Sequence, residues 1–455
     1  MQILTPMTVQ QKKKYGTVAF SIFIILTLLC CFWPSVHPEN SEPFDTGTLA
    51  WMLSASGLVL LMTPGLSFFY GGMISPKNII STMLQSFVAL GVVSILWYVV
   101  GFSLAFGDSI GGIIGNPLSF AFFNNVGTAA HPSMATSIPF ILFAAFQLKF
   151  AIITPALITG SFAERVRFWG YLIFVCLFSL LIYAPLAHWT WHPEGFLFKM
   201  GVLDFAGGTV VHISAGFAAL AGAMVLGRRK SHLANHEHKP SNIPYVLLGT
   251  GLLWFGWFGF NAGSALDANT LAVTAFINTH MASAAAMMAW ILLDAAKGRK
   301  ATAIGACIGA VVGLVAITPA AGFVSFGPAI FIGLAASIIS NYAVHWKNKS
   351  SIDDTLDVFP CHGVGGIVGM VLTAVFAKEG GLVTTGNPDL LLKHLLALVI
   401  VSVFTFVGSY ALLKLTNIII PLRVKPEDEE DGLDISQHHE SIFEGGMFSP
   451  VSDHK

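Results

Sequence analysis

Charge is scarce in this sequence. Asp, Glu, Lys and Arg make up 10% of its 455 residues, whereas a soluble domain carries about a quarter. A chain this poor in charge cannot clothe a globular surface in hydrated groups, so a soluble fold is excluded. The formal net charge is -1, which removes the basic surplus that a nucleic-acid partner would require. Cysteine is sparse as well: Cys30, Cys31, Cys176, Cys307 and Cys361. The last three fall inside apolar runs and no CxxC spacing occurs, so neither a disulfide framework nor a cysteine metal site is expected. Walker A and HExxH patterns are both missing, which speaks against ATP-driven pumping and against a zinc hydrolase. The expectation is a protein that is not an enzyme, with no cofactor and no metal.

What the chain has instead is apolar length. Hydrophobic residues make up 55% of it and its mean hydropathy is +0.73. They come in runs of about 20, the length that crosses a bilayer as a helix. The 45 glycines suit close helix contact in lipid. The fold class is therefore an all-α polytopic membrane protein. Eleven spans are expected, at 48-70, 80-106, 134-161, 169-187, 204-226, 243-262, 270-294, 302-317, 322-344, 359-377 and 391-420. Ahead of them, Lys12, Lys13 and Lys14 precede the apolar run 18-33, and polar Pro38-Glu39-Asn40-Ser41-Glu42 follows it. That order reads as a signal peptide over 1-38. No clear A-x-A cleavage pattern is present, and an uncleaved extra helix is the rival reading. The membrane domain is placed at 45-421 and a cytoplasmic tail at 422-455.

Loop charges alternate. One set holds Lys77; Arg165 and Arg167; Arg228, Arg229, Lys230 and Lys239; Lys297, Arg299 and Lys300; Lys347 and Lys349. The other holds little beyond Lys199, Lys378 and Lys393. The positive-inside rule makes the first set cytoplasmic. A multi-pass protein of the inner (plasma) membrane is expected, with the mature N-terminus outside and the C-terminus inside.

The spans also repeat. Ile152-Ile153-Thr154-Pro155-Ala156 in the third matches Ala316-Ile317-Thr318-Pro319-Ala320 at the eighth. Phe68-Phe69-Tyr70-Gly71-Gly72 matches Phe258-Gly259-Phe260-Asn261-Ala262. The fifth and tenth spans each carry one histidine, His212 and His362. Spans one to five (about 48-228) thus resemble six to ten (about 243-378), with the eleventh (about 391-420) outside the pattern. Five is odd, so the second copy crosses in the opposite sense. Such a 5+5 inverted repeat places a transporter's site at the repeat interface near the midplane.

The two histidines are the first candidates. His212 lies eight residues after Asp204 and His362 five after Asp357, depths of about 12 Å and 7.5 Å along helices entering from opposite faces. They are expected to meet and to offer polar ring atoms to a small solute. For each histidine alone, a hydrogen bond to a neighbouring helix is the plainer reading; repeat-related positions favour a site. Asp204 and Asp357 read as helix N-caps, with a field effect on an entering cation as a further role for Asp204. Aromatics crowd the outer side: Trp189 and Trp191 before the fifth span, Phe146 and Phe150 on one face of the third, and Trp257 and Phe260 near the outer end of the sixth. Ring faces attract cations, although interfacial aromatic belts are common in any membrane protein. Ser264, four after Phe260, offers a hydrogen bond at that mouth. His362-Gly363-Val364-Gly365-Gly366-Ile367-Val368-Gly369 lacks the strand-turn-helix setting of a dinucleotide loop, and close helix packing accounts for its glycines. His232, His236 and His238 in a basic loop read as solvated rather than metal-binding. Lys149 is a charge inside a span, able to snorkel or to pair.

Several of these motifs together resemble the ammonium transporter (Amt/Mep/Rh) family, nearer its bacterial Amt branch. They are Asp204-Phe-Ala-Gly-Gly-Thr-Val-Val-His212, Phe258-Gly-Phe-Asn-Ala-Gly-Ser264, Phe162-Ala-Glu-Arg165, Asp357-Val-Phe-Pro-Cys-His362-Gly-Val-Gly-Gly and the tail Gly432-Leu433-Asp434. The resemblance covers nearly the whole mature chain. It implies a homotrimer with one pore and eleven helices per subunit, moving ammonium or ammonia, with methylammonium as analogue. It implies recruitment of ammonium by Trp191, Phe146, Phe150, Ser264 and Asp204, a gate of Phe150 and Phe260, and a pore lined by His212 and His362. It implies a trimeric PII-type regulatory protein as partner at the cytoplasmic face. Lys149 and Pro360 depart from the small or apolar residues expected beside the matched positions.

The reading is an ammonium channel or transporter that deprotonates its substrate and passes ammonia, with the proton route open. Two readings from other classes compete. An ammonium sensor would signal rather than conduct, and the short tail without a signalling domain weighs against it. An intramembrane metal-dependent hydrolase would need a third ligand beside the two histidines.

Overall fold

The structure, a computed structural model, describes residues 9–40, 43–234 and 239–442. In lipid every backbone polar group needs a partner within the chain, so runs this apolar are built as helices. A helix stands at each of the eleven expected places: α2 Thr46–Met73, α3 Pro76–Phe106, α4 Phe140–Phe162, α5 Phe168–Met200, α6 Gly208–Leu226, α7 Ile243–Gly263, α8 Thr270–Ala296, α9 Ala303–Ile317, α10 Phe326–Lys349, α11 Phe359–Phe376 and α12 Asp389–Ile419. All but α9 are long and apolar enough to cross a membrane.

Side-chain caps set several of the starts. Asn242 accepts from the Tyr245 amide, with Pro244 in the first turn of α7. Asn269 accepts from Leu271 and Ala272 at the start of α8, and Thr302 from Gly305 at the start of α9. Each supplies an oxygen to an amide that has no partner within its helix. The third span starts at Phe140 rather than 134, because Pro139 stands before it and His131 and Ala135 bridge in a loop. The fourth runs beyond 187, breaking at His192 before a last turn, Phe196–Met200.

Two glycines let neighbouring helices approach closely. α2 lies along α7, where a Cβ on Gly249 would stand 2.3 Å from the Phe69 amide nitrogen. The histidine-bearing helices α6 and α11 cross where a Cβ on Gly216 would stand 2.3 Å from Gly363 Cα. No other residue fits either crossing at this separation, which accounts for glycine immediately after His362.

The basic ends of the helices share one face with the tail. Arg167 N–H donates to Leu422 O at 2.7 Å, and Arg423 donates to Arg228 O at 2.8 Å. Beyond α13, Pro426–Asp431, the Asp434 carboxylate caps the start of α3 through the Ile80 and Ser81 amides at 3.1 and 2.8 Å.

The helix ahead of these, α1 Val9–Phe32, is apolar and turned outward: Phe20 is 64% exposed. The segment after it is held by the loop that follows α3. Trp33 stacks on Phe122 at 4.6 Å, and the Asn125 and Ala129 amides donate to Val36 O and Pro38 O at 2.8 and 2.9 Å. The expected boundary at residue 38 falls inside this held segment.

Candidate functional site

Asp204 precedes α6 and its carboxylate takes four hydrogen bonds. Oδ1 accepts from the Gly207 and Gly208 amides at 2.8 and 2.6 Å, and Oδ2 from the Thr209 amide at 2.7 Å and the Thr209 hydroxyl. Gly207 takes φ 117, a conformation that favours glycine, and so swings its successors onto that carboxylate. The first turns, Gly208–Ile213, are π-helical. His212 lies at their end, 1% exposed.

The same device opens α11, with one correction to the expected cap. Asp357 is not the acceptor. Asp354 is: it is fully buried, and its Oδ2 accepts from the Phe359 amide at 2.7 Å. Asp354 stands eight residues before His362, just as Asp204 stands eight before His212. Asp357 occupies the place of Gly207, with φ 57, and its carboxylate pairs with Lys347 Nζ at 2.8 Å. Again the first turns, Phe359–Val364, are π-helical, and His362 within them is 4% exposed. π turns of this kind gather at functional sites.

The two imidazoles meet: Nδ1 of His362 lies 3.3 Å from Nδ1 of His212, with ring centroids 5.4 Å apart. A continuous file of rings leads to them. Phe150 and Phe260 lie in contact, centroids 4.2 Å apart, and Phe260 stands 6.0 Å from His212 at 25°. Trp257 flanks His212 at 5.4 Å and 22°. Beyond Phe150 opens a cavity of about 200 Å³ lined by Gln147, Phe150, Trp191, Phe205 and Ser264 among others. Beyond His362 a cavity of about 10 Å³, lined by Tyr70, Leu356, Cys361 and His362, has room for about one water.

The expected residues take unequal places around this file. Trp191 stands edge-on to Phe150 at 5.8 Å and donates its indole N–H to Asp204 O at 3.2 Å. The Ser264 hydroxyl donates to Phe260 O at 2.9 Å, so its remaining capacity toward a solute is as an acceptor. Phe146 is fully buried and packs at 5.0 Å against Phe150, backing that ring rather than lining the cavity. Trp189 packs instead against Phe196 and Phe404, with its ring tilted to both. Lys149 is half-buried on α4, with no ion pair among the described residues. His232 accepts from Arg228 Nε at 3.0 Å; His236 and His238 lie outside the described residues.

Beyond α10 the site ends in a buried ion network. Arg229 pairs with Glu164 at 2.6 Å and with Asp353 at 2.9 Å. Arg165 donates to Thr355 Oγ1 at 2.8 Å and to Asp353 O. Burial alone would raise the Asp353 carboxyl, but hydrogen bonds from Arg229 and the charge of Arg165 hold it well below the usual range. Its neighbour Asp354 moves the other way: burial raises it and Lys347 only partly offsets the rise. Burial also draws the Arg165 guanidinium down to about 10.

Residue-by-residue reading missed Asp354 and Thr318. For the first, the signal was the shared eight-residue spacing to histidine. In the sequence Thr318 stands out only as part of a repeated Thr-Pro. Its hydroxyl lies 3.3 Å from His212 Nε2 and accepts the Trp257 indole N–H at 2.9 Å.

The family model described as Ammonium Transporter Family matches residues 50–443. A putative ammonium transporter of Methanothermobacter thermautotrophicus is 47% identical over 409 residues, 88% of this chain and 98% of that protein. Candida albicans Mep2, a solved structure, superposes with a TM-score of 0.80 at 34% identity, covering 85% of this chain and 88% of that one. A solved structure described as a sensor Amt protein superposes with a TM-score of 0.79 at 31% identity, covering 86% of this chain and 98% of that one.

Proposed function

The chain belongs to the ammonium transporter family, and from that premise we propose a route through each subunit in which ammonium is bound outside, deprotonated and passed inward as ammonia. The observation that carries this reading is the unbroken file Phe150–Phe260–His212–His362, each ring in contact with the next. A hydrated cation has no path through it. Carrying a bare charge through apolar protein is costly unless the charge is paired or removed. Ammonium can remove its own charge by giving up a proton, and potassium cannot. Selectivity then follows from a chemical property of the substrate rather than from pore diameter.

Each residue has a role in this route. The cavity outside Phe150 takes up the cation, with the faces of Phe150 and Trp191 and the Ser264 oxygen around it. Phe146 supports Phe150. Asp204 shapes the start of α6, and its charge close to the cavity favours a cation. Phe150 and Phe260 form the gate, and His212 and His362 give polar atoms to ammonia in an otherwise apolar passage. The proton travels separately or along the histidines.

The matching Asp–histidine spacings, the paired Thr-Pro sequences and the two π-helical starts support an inverted repeat of five helices and five. The basic face shared with the tail supports its placement in the cytoplasm, within an inner (plasma) membrane. The family resemblance extends the reading to a homotrimer with a PII-type protein docking on that face; native mass spectrometry in detergent reads the first, and co-purification with a PII protein the second.

The central test is uptake of labelled methylammonium into proteoliposomes by the wild type and by His212→Ala, Phe260→Ala and Asp204→Ala. Wild-type uptake in all three would sink the route. Current recorded alongside uptake separates the proton paths: charge moved per methylammonium is zero if only the neutral molecule crosses. A sensor predicts a wild type that binds ammonium without measurable uptake.

A further inference from the structure

Thr318 ends α9 beside the histidine pair, and its hydrogen-bond capacity is fully accounted for. A threonine hydroxyl has one hydrogen to give and two lone pairs to receive. The hydrogen goes to Leu314 O at 2.8 Å. One lone pair receives the Trp257 indole N–H at 2.9 Å, and an indole nitrogen can only donate. The other faces His212 Nε2 at 3.3 Å. The hydrogen in that contact has to come from the histidine.

The consequence propagates. A neutral imidazole carries one N–H. With His212 protonated at Nε2, its Nδ1 is bare. That bare nitrogen lies 3.3 Å from His362 Nδ1, so His362 carries its hydrogen at Nδ1. His362 Nε2 is then the one free base of the pair, on the residue that lines the small inner cavity with Tyr70 and Cys361.

We propose that Thr318 is a positioning residue that fixes the tautomers of both histidines, so that every hydrogen in the chain His362–His212–Thr318–Leu314 points the same way and the only open lone pair is at His362. The inference rests on the route proposed above and adds a direction to it. The repeat mate of Thr318 supplies no opposing lock. Thr154 gives its hydrogen to Phe150 O at 2.7 Å, and neither histidine is among its partners. The two-fold plan of the repeat is thus broken at one hydroxyl.

The test is ¹⁵N NMR on protein labelled at histidine, with the two pore residues assigned by their loss in His212→Ala and His362→Ala. In the wild type, His212 shows a protonated Nε2 and a bare Nδ1, and His362 the reverse. Thr318→Val keeps the shape and removes the acceptor, so His212 populates both tautomers. Thr318→Ser retains the wild-type pattern. Methylammonium uptake falls about tenfold in the valine variant, the scale of one hydrogen bond lost at the site, and stays within about twofold of wild type in the serine variant. A wild-type spectrum with His212 protonated at Nδ1, or a valine variant with an unchanged spectrum, overturns the proposal. If the valine variant does not fold, Trp257→Phe decides: it spares both the Leu314 and the histidine bonds, so its tautomers stay as in the wild type, and mixed tautomers there count against the lock. The spectrum is independent of transport, so absence of uptake by the wild type would refute the route and leave the tautomer assignment standing.

Discussion

Eight residues before His212 stands Asp204, and eight before His362 stands Asp354. Three residues after each acid the backbone turns left-handed, at Gly207 and at Asp357, and each helix then opens in π turns. There the likeness ends. Around His212 the partners are neutral and mostly aromatic: Phe260, Trp257 and the Thr318 hydroxyl. Behind His362 lies a buried lattice of charge, with Lys347 against Asp357 and Arg229 between Glu164 and Asp353. One backbone device, used twice, places two imidazoles together; what differs is the dielectric setting. The proposed entry is a place where charge is shed, and the proposed exit stands beside charges that satisfy one another.

The largest effect should come from removing the cap with most donors. Asp204→Ala strands three amides and a hydroxyl in a buried site. At about 1–3 kcal/mol for each unsatisfied group, this approaches the whole stability of a domain. The expected outcome is no methylammonium uptake and a melting transition in detergent that is abolished or greatly lowered. Asp354→Ala removes the acceptor of the Phe359 amide and should lower the transition by less. Equal losses would show that the two caps are energetically alike despite their different bonding.

Next comes the charge lattice. Asp353→Asn leaves Arg229 with Glu164 alone in a buried setting. Breaking a buried pair by removing one partner costs about 3–5 kcal/mol, so the variant should melt well below the wild type at pH 7. The pH dependence gives the sign. Asp353 has its folded pKa lowered, so its contribution is present above the unfolded value of about 3.9 and is lost only as pH falls through the still lower folded value. Asp354 has its folded pKa raised by burial, so ionisation costs stability at neutral pH, and that cost disappears as pH falls through the folded value. Melting curves between pH 7.5 and 4.5 should show a constant deficit for Asp353→Asn. For Asp354→Asn, the difference from wild type should shrink on acidification. A deficit for Asp353→Asn that closes by pH 5 would contradict the shift assigned to it.

Much of the helical architecture was legible in the sequence. Run length marks out the helices, because an apolar run of about 20 residues in lipid pairs its backbone groups within itself as a helix, and the matched places of His212 and His362 in the fifth and tenth spans single these two out from the other histidines in the spans. The caps were less legible. Asp357 is the nearest acid to His362, and proximity along the chain made it the natural cap. A π-helical start needs an acceptor further back, with a left-handed residue between, and this selects Asp354. The Asp357 side chain is then free to meet Lys347 at the end of α10, a pairing across the intervening loop that no helical spacing encodes. Phe146 illustrates the same limit from the other side: one helical face gave it and Phe150 equal standing, and only packing put one ring behind the other.

The smallest effect belongs to Tyr70, which the proposed repeat sets in the place of Phe260. Phe260 ends in a bare ring in contact with Phe150. Tyr70 carries a hydroxyl that donates to Leu157 O at 2.8 Å and lines the cavity beside His362. If the outer mate gates and the inner mate merely ties helices together, Tyr70→Phe should cost only the net worth of one neutral hydrogen bond, about 1 kcal/mol. Such a loss moves the melting temperature by a few degrees at most and leaves the methylammonium KM unchanged. Phe260→Ala opens the ring file, and its expected result is uptake that potassium inhibits where the wild type is indifferent. A Tyr70→Phe variant that lets potassium compete would place a second barrier at the inner mate and remove the functional asymmetry drawn between the two halves.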